Sequence, residues 1–255
     1  MELTNALCKT IQSLETIKGR RQTSLFMAEG TKCVLELLTA FELKYLIATR
    51  QWLDDNNNIN VNNDKIIEAG RRDIKKISQL ITPRDVIAIF KIPSVSKIPD
   101  DLRSDLVLAL DRVQDPGNLG TIIRIADWFG VHNIIASFDS VDCFNPKVVQ
   151  ATMGAIGRVK VHYVDSLSET LKSLSAFMPI YGTFLDGENI YKSSLSSNGV
   201  IVMGNEGAGI SEEVGRVITS RLLIPPYPHD SETVESLNVS MATAITVAEF
   251  RRRQF

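Results

Sequence analysis

The sequence predicts an α/β protein of two domains, the second built on a mostly parallel sheet. Three observations carry that expectation. From Leu106 onward short apolar runs alternate with helical stretches, the pattern of parallel strands joined by crossover helices. Upstream, Ile92-Pro93 to Ile98-Pro99, with Ser, Val and Lys between, has the composition of a linker. Within Gly199 to Glu249 an apolar strand stops at a glycine-rich turn that hands over to a capped helix. Such a junction leaves unpaired backbone groups at the carboxyl edge of a sheet, where α/β folds bind small ligands. The expected division is residues 1–97, a linker at 98–104, and residues 105–255.

In the first domain Leu3, Leu7, Ile11, Leu14 and Ile17 form one helical stripe, which Lys18-Gly19-Arg20-Arg21 is expected to end with a glycine stop. Ser24 to Ala28 reads as a strand, Glu29-Gly30 as a turn, and Thr31 as the cap of a helix through Leu38. Leu43 to Ala48 is a second strand. Asp54 to Asn63 is dominated by Asn and Asp, which favour turns, and is expected to be an exposed loop. Ile74, Ile77, Leu80 and Ile81 mark a further helix, and Asp85 to Phe90 a buried strand.

In the second domain the expected strands are Leu106–Leu110, Asn133–Ala136, Val159–Tyr163, Ile180–Phe184, Val200–Met203 and Leu222–Ile224. Asp115-Pro116-Gly117 opens a helix whose core stripe is Ile122, Ile123, Ala126 and Phe129. Arg124 has no place on that stripe and is expected along the helix flank, toward the loop holding Asn118 and Gly120. Gly204-Asn205-Glu206-Gly207-Ala208-Gly209 permits positive φ and close backbone approach to a ligand. It lacks the glycine spacing of a dinucleotide fingerprint and the Lys-Ser/Thr of a P-loop, and the Glu206 carboxylate suits a cationic or hydroxyl-bearing ligand. Ser211 caps a short helix, and Ser236 or Asn238 caps the last one, whose N-terminal amides then face the ligand edge.

Composition excludes several classes. With 44% hydrophobic residues in 255, the chain can bury one large or two small cores. Met1-Glu2-Leu3-Thr4-Asn5 lacks the start of a signal peptide, and no apolar run approaches the roughly 18 residues of a membrane span, so a cytoplasmic protein is expected. Cys8, Cys33 and Cys143 have no paired spacing, and His132, His162 and His229 form no ligand pair, so neither disulfides nor a metal site is indicated. Met1 to Lys97 holds fifteen Lys and Arg against eleven Asp and Glu, and the remainder thirteen against nineteen. A basic front on an acidic back suits an anionic partner that meets the front first.

Three segments in order, NLGTIIRIA from Asn118, IVMGNEGAGI from Ile201, and LLIPP from Leu222 with ESLNVSMATAI from Glu235, resemble the three motifs of the SpoU (TrmH-type) RNA 2′-O-ribose methyltransferases. Asn145 to Ala155 resembles a further segment of that family. The front stretch RRQTSLFMAEGTKCVLELL is similar to the small α/β, ribosomal-protein-like substrate-binding domain of many members. The resemblance implies a deep trefoil knot in the C-terminal domain, S-adenosyl-L-methionine as cofactor, and a homodimer whose active site draws on both subunits.

Carried over by position, Arg124 falls at the family's catalytic arginine and Asn118 at the asparagine that supports it. Glu206 and Asn238 complete the catalytic set. Thr183, Gly204, Glu206, Ile224, Ser236 and Leu237 fall where the family contacts the cofactor, largely through backbone groups. The loop Pro226 to Val234 is longer than usual, and Pro226 replaces a common methionine. Lys18, Arg20 and Arg21 are the first candidates for RNA binding, with Arg71, Arg72, Lys75 and Lys76 second. Ribosomal RNA is the expected substrate, transfer RNA the alternative within enzymes, and a non-catalytic RNA-binding or ribosome-assembly protein the alternative of another class.

Overall fold

The computed structural model describes residues 2–94, 98–99, 101–228 and 235–254. They form two compact units, one containing the chain up to Ser94 together with Asp142–Arg158, the other containing the rest.

The first unit runs α1 (Asn5–Ser13), α2 (Ile17–Thr23), β1 (Leu25–Glu29), α3 (Thr31–Leu38), β2 (Leu43–Ala48), α4 (Arg50–Asp55), β3 (Ile66–Glu68), α5 (Arg71–Ile77) and β4 (Val86–Lys91). Its sheet has the order β1-β4-β2-β3, with β4 antiparallel to β1 and β2, and β3 parallel to β2. Ile11 and Leu14 pack with Met27, Ile47, Ile74 and Ile87 in one core.

Four local expectations change in this unit. The N-terminal stripe is two helices, because the chain breaks after Leu14 and restarts at Thr16, whose hydroxyl accepts from the Gly19 amide at 3.0 Å. Gly19 lies inside α2 and stops nothing; a Cβ there would sit 2.0 Å from the Ser13 carbonyl oxygen. It is glycine because one helix start crosses the end of another. Thr31 does not cap α3, which Gly30 enters at φ 89°, and its hydroxyl accepts from the Trp52 indole at 2.8 Å. Burial of Trp52 draws Arg50–Asp55 into a helix capped by Thr49, so the Asn-rich loop starts later than expected. Finally, α5 ends at Ile77 and Ile81 is fully exposed. Beyond that end, the Ser78 hydroxyl and the Gln79 amide donate to the buried Glu29 carboxylate, a demand that a continued helix would leave unmet.

The second unit contains β5 (Leu106–Leu110), α6 (Pro116–Trp128), β6 (Asn133–Ser137), β7 (Lys160–Val164), α8 (Leu167–Leu174), β8 (Ile180–Asn189), β9 (Gly199–Met203), α9 (Glu212–Gly215), β10 (Ser220–Leu223) and α10 (Val239–Arg252). Its six strands lie in the order β10-β8-β9-β5-β6-β7, and every pair is parallel. β5, β6 and β9 are buried along their whole length, as continuous apolar strands of a parallel sheet must be. β5 connects outward to β6 and β9 outward to β10, so the winding of the sheet changes sides between β5 and β9.

α10 packs on α6 and is pinned at its end. Arg251 donates to the Phe129 and Gly130 carbonyls, and Arg253 to that of Ile190. Hydrogen bonds from Arg252 and Arg253 hold the Glu249 carboxyl down to about 2, against the cost of its burial.

The division into units differs from the boundary expected near residue 97. Helix α7 (Pro146–Thr152) and its flanks belong to the first unit. Val148 and Val149 are buried, Phe144 lies 4.7 Å from Phe26 between ring centroids, and Asp142 pairs with Arg20 at 2.6 Å.

Candidate active site

The middle of β8 and the carboxyl ends of β9 and β10 frame a cavity of about 440 Å³, within the range of small-molecule sites. Gly204 and Ile224 stand just past the ends of β9 and β10, and Thr183 is the fourth residue of β8. Ile210, Val239 and Ala242 supply apolar wall, and Glu206 a carboxylate at the rim. The turn after β9 closes on itself, with Asn205 and Gly209 exchanging backbone hydrogen bonds at 2.9 Å. A Cβ on Gly204 would lie 2.3 Å from backbone atoms of Gly209 and Ile210, so only glycine lets this turn fold against the strand it leaves.

Three side chains, from the first turn of α6, the turn after β9 and the cap of α10, form a directed hydrogen-bond chain beside the cavity. Asn238 Nδ2 donates to Asn118 Oδ1 at 2.9 Å, and Asn118 Nδ2 donates to Glu206 Oε1 at 2.9 Å. The polarity is fixed at both ends. An ionised carboxylate only accepts, so Asn118 must turn its amide nitrogen to Glu206 and its oxygen to Asn238. Asn238 must then donate with its nitrogen, which leaves its oxygen for the Ser240 and Met241 amides at the start of α10, groups that only donate. Asn238 is thus the helix cap and a member of the site at once.

Of the residues expected from sequence, Thr183, Gly204, Glu206, Ile224, Ser236 and Leu237 line the cavity. Asn118 and Asn238 reach it through Glu206. Arg124 does not line it. It stands six residues after Asn118, hence roughly 9 Å along α6 and about 120° around it. Its side chain is exposed and makes no hydrogen bond or ion pair with any group among the described residues, and Trp128, one turn on, is 85% exposed. Lys18 and Arg21 are exposed, but Arg20 is a correction: only 2% exposed, it binds Asp142 and donates to the Leu14 and Glu15 carbonyls. Among the second candidates Arg71 pairs with Asp85 and Lys76 with Asp73, while Arg72 and Lys75 are exposed. His229 and the rest of 229–234 lie outside the described residues.

Sequence reasoning missed three supports. Asp115 caps α6 by accepting from the Asn118 amide at 2.8 Å, and its own amide faces Glu206. The signal was its place before Pro116, the usual first residue of a helix. Asn205 braces the glycine turn, and buried Asp111 accepts from the Ser211 amide at 2.6 Å. No periodicity announces either. Among the described residues no cluster of His, Cys, Asp or Glu could hold a metal ion, and no helix is long and apolar enough to cross a membrane.

Residues 105–248 match the model of the SpoU rRNA methylase family, and residues 5–88 match that of the MRM3-like substrate binding domain. The 23S rRNA (guanosine(2553)-2′-O)-methyltransferase RlmP of Bacillus subtilis is 30% identical, over 97% of this chain and 96% of its own. A putative RNA methyltransferase of the TrmH family from Porphyromonas gingivalis superposes with a TM-score of 0.88 at 39% identity, covering 98% of this chain and 99% of its own. An AdoMet-bound rRNA methyltransferase from Sinorhizobium meliloti superposes at 0.84 with 30% identity, covering 100% and 98%. A motif triad gathered at one sheet edge, within a domain matched over most of its length, has one reading: the chain belongs to the SpoU rRNA methylase family.

Proposed function

We propose that the protein is an S-adenosyl-L-methionine-dependent 2′-O-ribose methyltransferase of ribosomal RNA, of the 23S type. The observation that carries this is the cavity between the middle of β8 and the ends of β9 and β10, with the Asn238–Asn118–Glu206 chain on its rim. Its chemistry suits the cofactor. Two carboxylates, Glu206 and Glu235, meet a ligand that is cationic and rich in hydroxyls, the apolar wall meets an adenine, and no lysine waits for phosphates. Thr183, Gly204, Glu206, Ile224, Ser236 and Leu237 would hold it. When bound, S-adenosyl-L-methionine supplies a methyl group on a sulfonium sulfur.

The protein's share is to hold a ribose hydroxyl in line with that methyl and ease the loss of its proton. Alignment alone is worth up to about 7–11 kcal/mol. Arg124 takes the second task by donating to the 2′-oxygen and stabilising the developing alkoxide, since a guanidinium does not give up its own proton. Asn118, Glu206 and Asn238 form a rigid polar edge against which the ribose is oriented.

Arg124 serves this role across a homodimer. Its exposure beside Trp128, and the 62% exposure of Met241 on the packed helix α10, leave an apolar face that a second copy covers. The trefoil knot and a cytoplasmic location belong to the same reading, and Lys18 and Arg21 of the first unit meet the RNA.

Calorimetric titration with S-adenosyl-L-methionine, followed by transfer of labelled methyl to ribosomal RNA from cells lacking the protein, tests the proposal. Binding with label recovered as a 2′-O-methylnucleoside supports it. Binding without transfer favours the assembly-protein alternative, and label confined to transfer RNA overturns the substrate.

A further inference from the structure

The first unit has a cavity of its own, about 280 Å³, walled by Met27 and Leu80, with Glu29, Gln79 and Gln150 lining it and Lys147 at its edge. Glu29 is 4% exposed. One of its oxygens accepts from Ser78 Oγ at 2.5 Å and the other from the Gln79 amide at 2.7 Å. A carboxylate has about four acceptor positions, so each oxygen keeps one. Burial raises the pKa of this carboxyl in spite of those two hydrogen bonds. A ligand that donates to it would supply what the fold does not.

The region around Glu29 matches a substrate-binding model over residues 5–88. Proteins read RNA sequence mainly from unstacked bases held by their Watson–Crick edges. Among the four bases only guanine offers two adjacent donors there, N1–H and the N2 amino group, in register with two carboxylate oxygens. Adenine, cytosine and uracil each turn at least one acceptor toward the carboxylate.

We propose that this cavity receives one unstacked guanine of the RNA substrate, its N1–H and N2 amino group donating to Glu29. Met27 and Leu80 flank the base. The amides of Gln79 and Gln150 are the donors on offer to its O6 and N7, and the exposed Lys147 meets a neighbouring phosphate. The proposal rests on the RNA-methyltransferase reading only in taking RNA as the ligand.

The test uses the full-length protein and nine-nucleotide single strands of uridine carrying a central guanosine, inosine or adenosine, with binding read by fluorescence anisotropy. The guanosine strand is expected to bind roughly tenfold or more tighter than the adenosine strand. Inosine, which lacks the N2 amino group, falls between. Glu29→Gln should erase the preference. Because Glu29 is buried, Ala151→Leu is the second variant: it fills the cavity from α7 without touching the carboxylate, and should erase the preference with affinity for S-adenosyl-L-methionine unchanged. Equal binding of the guanosine and adenosine strands, or a guanosine preference that survives Ala151→Leu, overturns the proposal. Methyl transfer to ribosomal RNA is scored separately, so transfer without guanosine preference sinks the pocket alone, and preference without transfer sinks the enzymatic reading alone.

Discussion

Asn205 Nδ2 donates to the backbone carbonyl of Arg112 at 2.8 Å and so ties the turn after β9 to the end of β5. Its Oδ1 accepts from the Gly207 and Ala208 amides at 3.0 and 2.9 Å, so one side chain sets both the shape and the position of the turn that presents Glu206. Asn205→Ala should therefore loosen cofactor binding without unfolding the protein. A loss of about 1–3 kcal/mol corresponds to a Kd raised roughly five- to 150-fold, measurable by calorimetry. An unchanged Kd would show that the turn holds without this brace.

The directed chain from Asn238 to Glu206 makes Asn118→Asp more damaging than Asn118→Ala. The aspartate presents an acceptor to a carboxylate at 2.9 Å, where the asparagine presented a donor, whereas alanine only vacates the place. Methyl-transfer rates should fall in the order wild type, Ala, Asp, and raised salt should narrow the gap between the two variants. The reverse order would refute the assigned polarity.

Arg124 stands off the cavity, so Arg124→Ala should leave S-adenosyl-L-methionine affinity within about twofold of wild type while abolishing turnover. Parallel loss of both would remove it from the catalytic role. Mixing Arg124→Ala with a cofactor-pocket variant such as Gly204→Val adds a second readout: partial recovery of activity on mixing supports the proposed homodimer and action of Arg124 across it, and no recovery counts against both.

Arg20 and Lys18, two residues apart, should behave oppositely. Arg20→Ala strands Asp142 and two carbonyls, and breaking a buried pair costs about 3–5 kcal/mol. Chemical denaturation will report that loss. Lys18→Ala should leave stability unchanged, weaken RNA binding and lower its salt slope by about one.

Glu249 adds a pH dependence of known sign. Its carboxyl is lowered from 4.5 to about 2 in the fold, first by the hydrogen bond from Arg252. A depressed acid stabilises the folded state above its unfolded pKa and loses that contribution as pH falls through the folded one. Stability should thus decline between pH 4.5 and 2, and Glu249→Gln should flatten that part of the profile in urea titrations.

Much of the fold was legible. β5, β6 and β9 of the second sheet lie where apolar runs stand in the sequence, because strands buried on both faces announce themselves by composition. Gly204, Ile224 and Leu237 were legible by family position, and all three line the cavity. Where reading failed, a packing contact between elements decided, and only one of the three reached more than a hundred residues along the chain. Gly19 reads as a helix stop until the Ser13 carbonyl is seen against it, Ile81 reads as helical until Glu29 claims the chain at Ser78 and Gln79, and Arg20 reads as an RNA ligand until Asp142 is found beside it. Local pattern carries no information about a partner more than a hundred residues away.

The return of Asp142–Arg158 to the first unit sets an order of events on the ribosome. The leading portion of the nascent chain cannot complete its own core when residue 94 emerges, since Phe144, one of the three rings packed on Phe26, and the anion for Arg20 are still to be translated. It must wait half assembled while β5, α6 and β6 are made. For the same reason a domain swap between relatives that cuts only at the proline-flanked linker would part these partners, and a graft that works will have to carry the later segment with it.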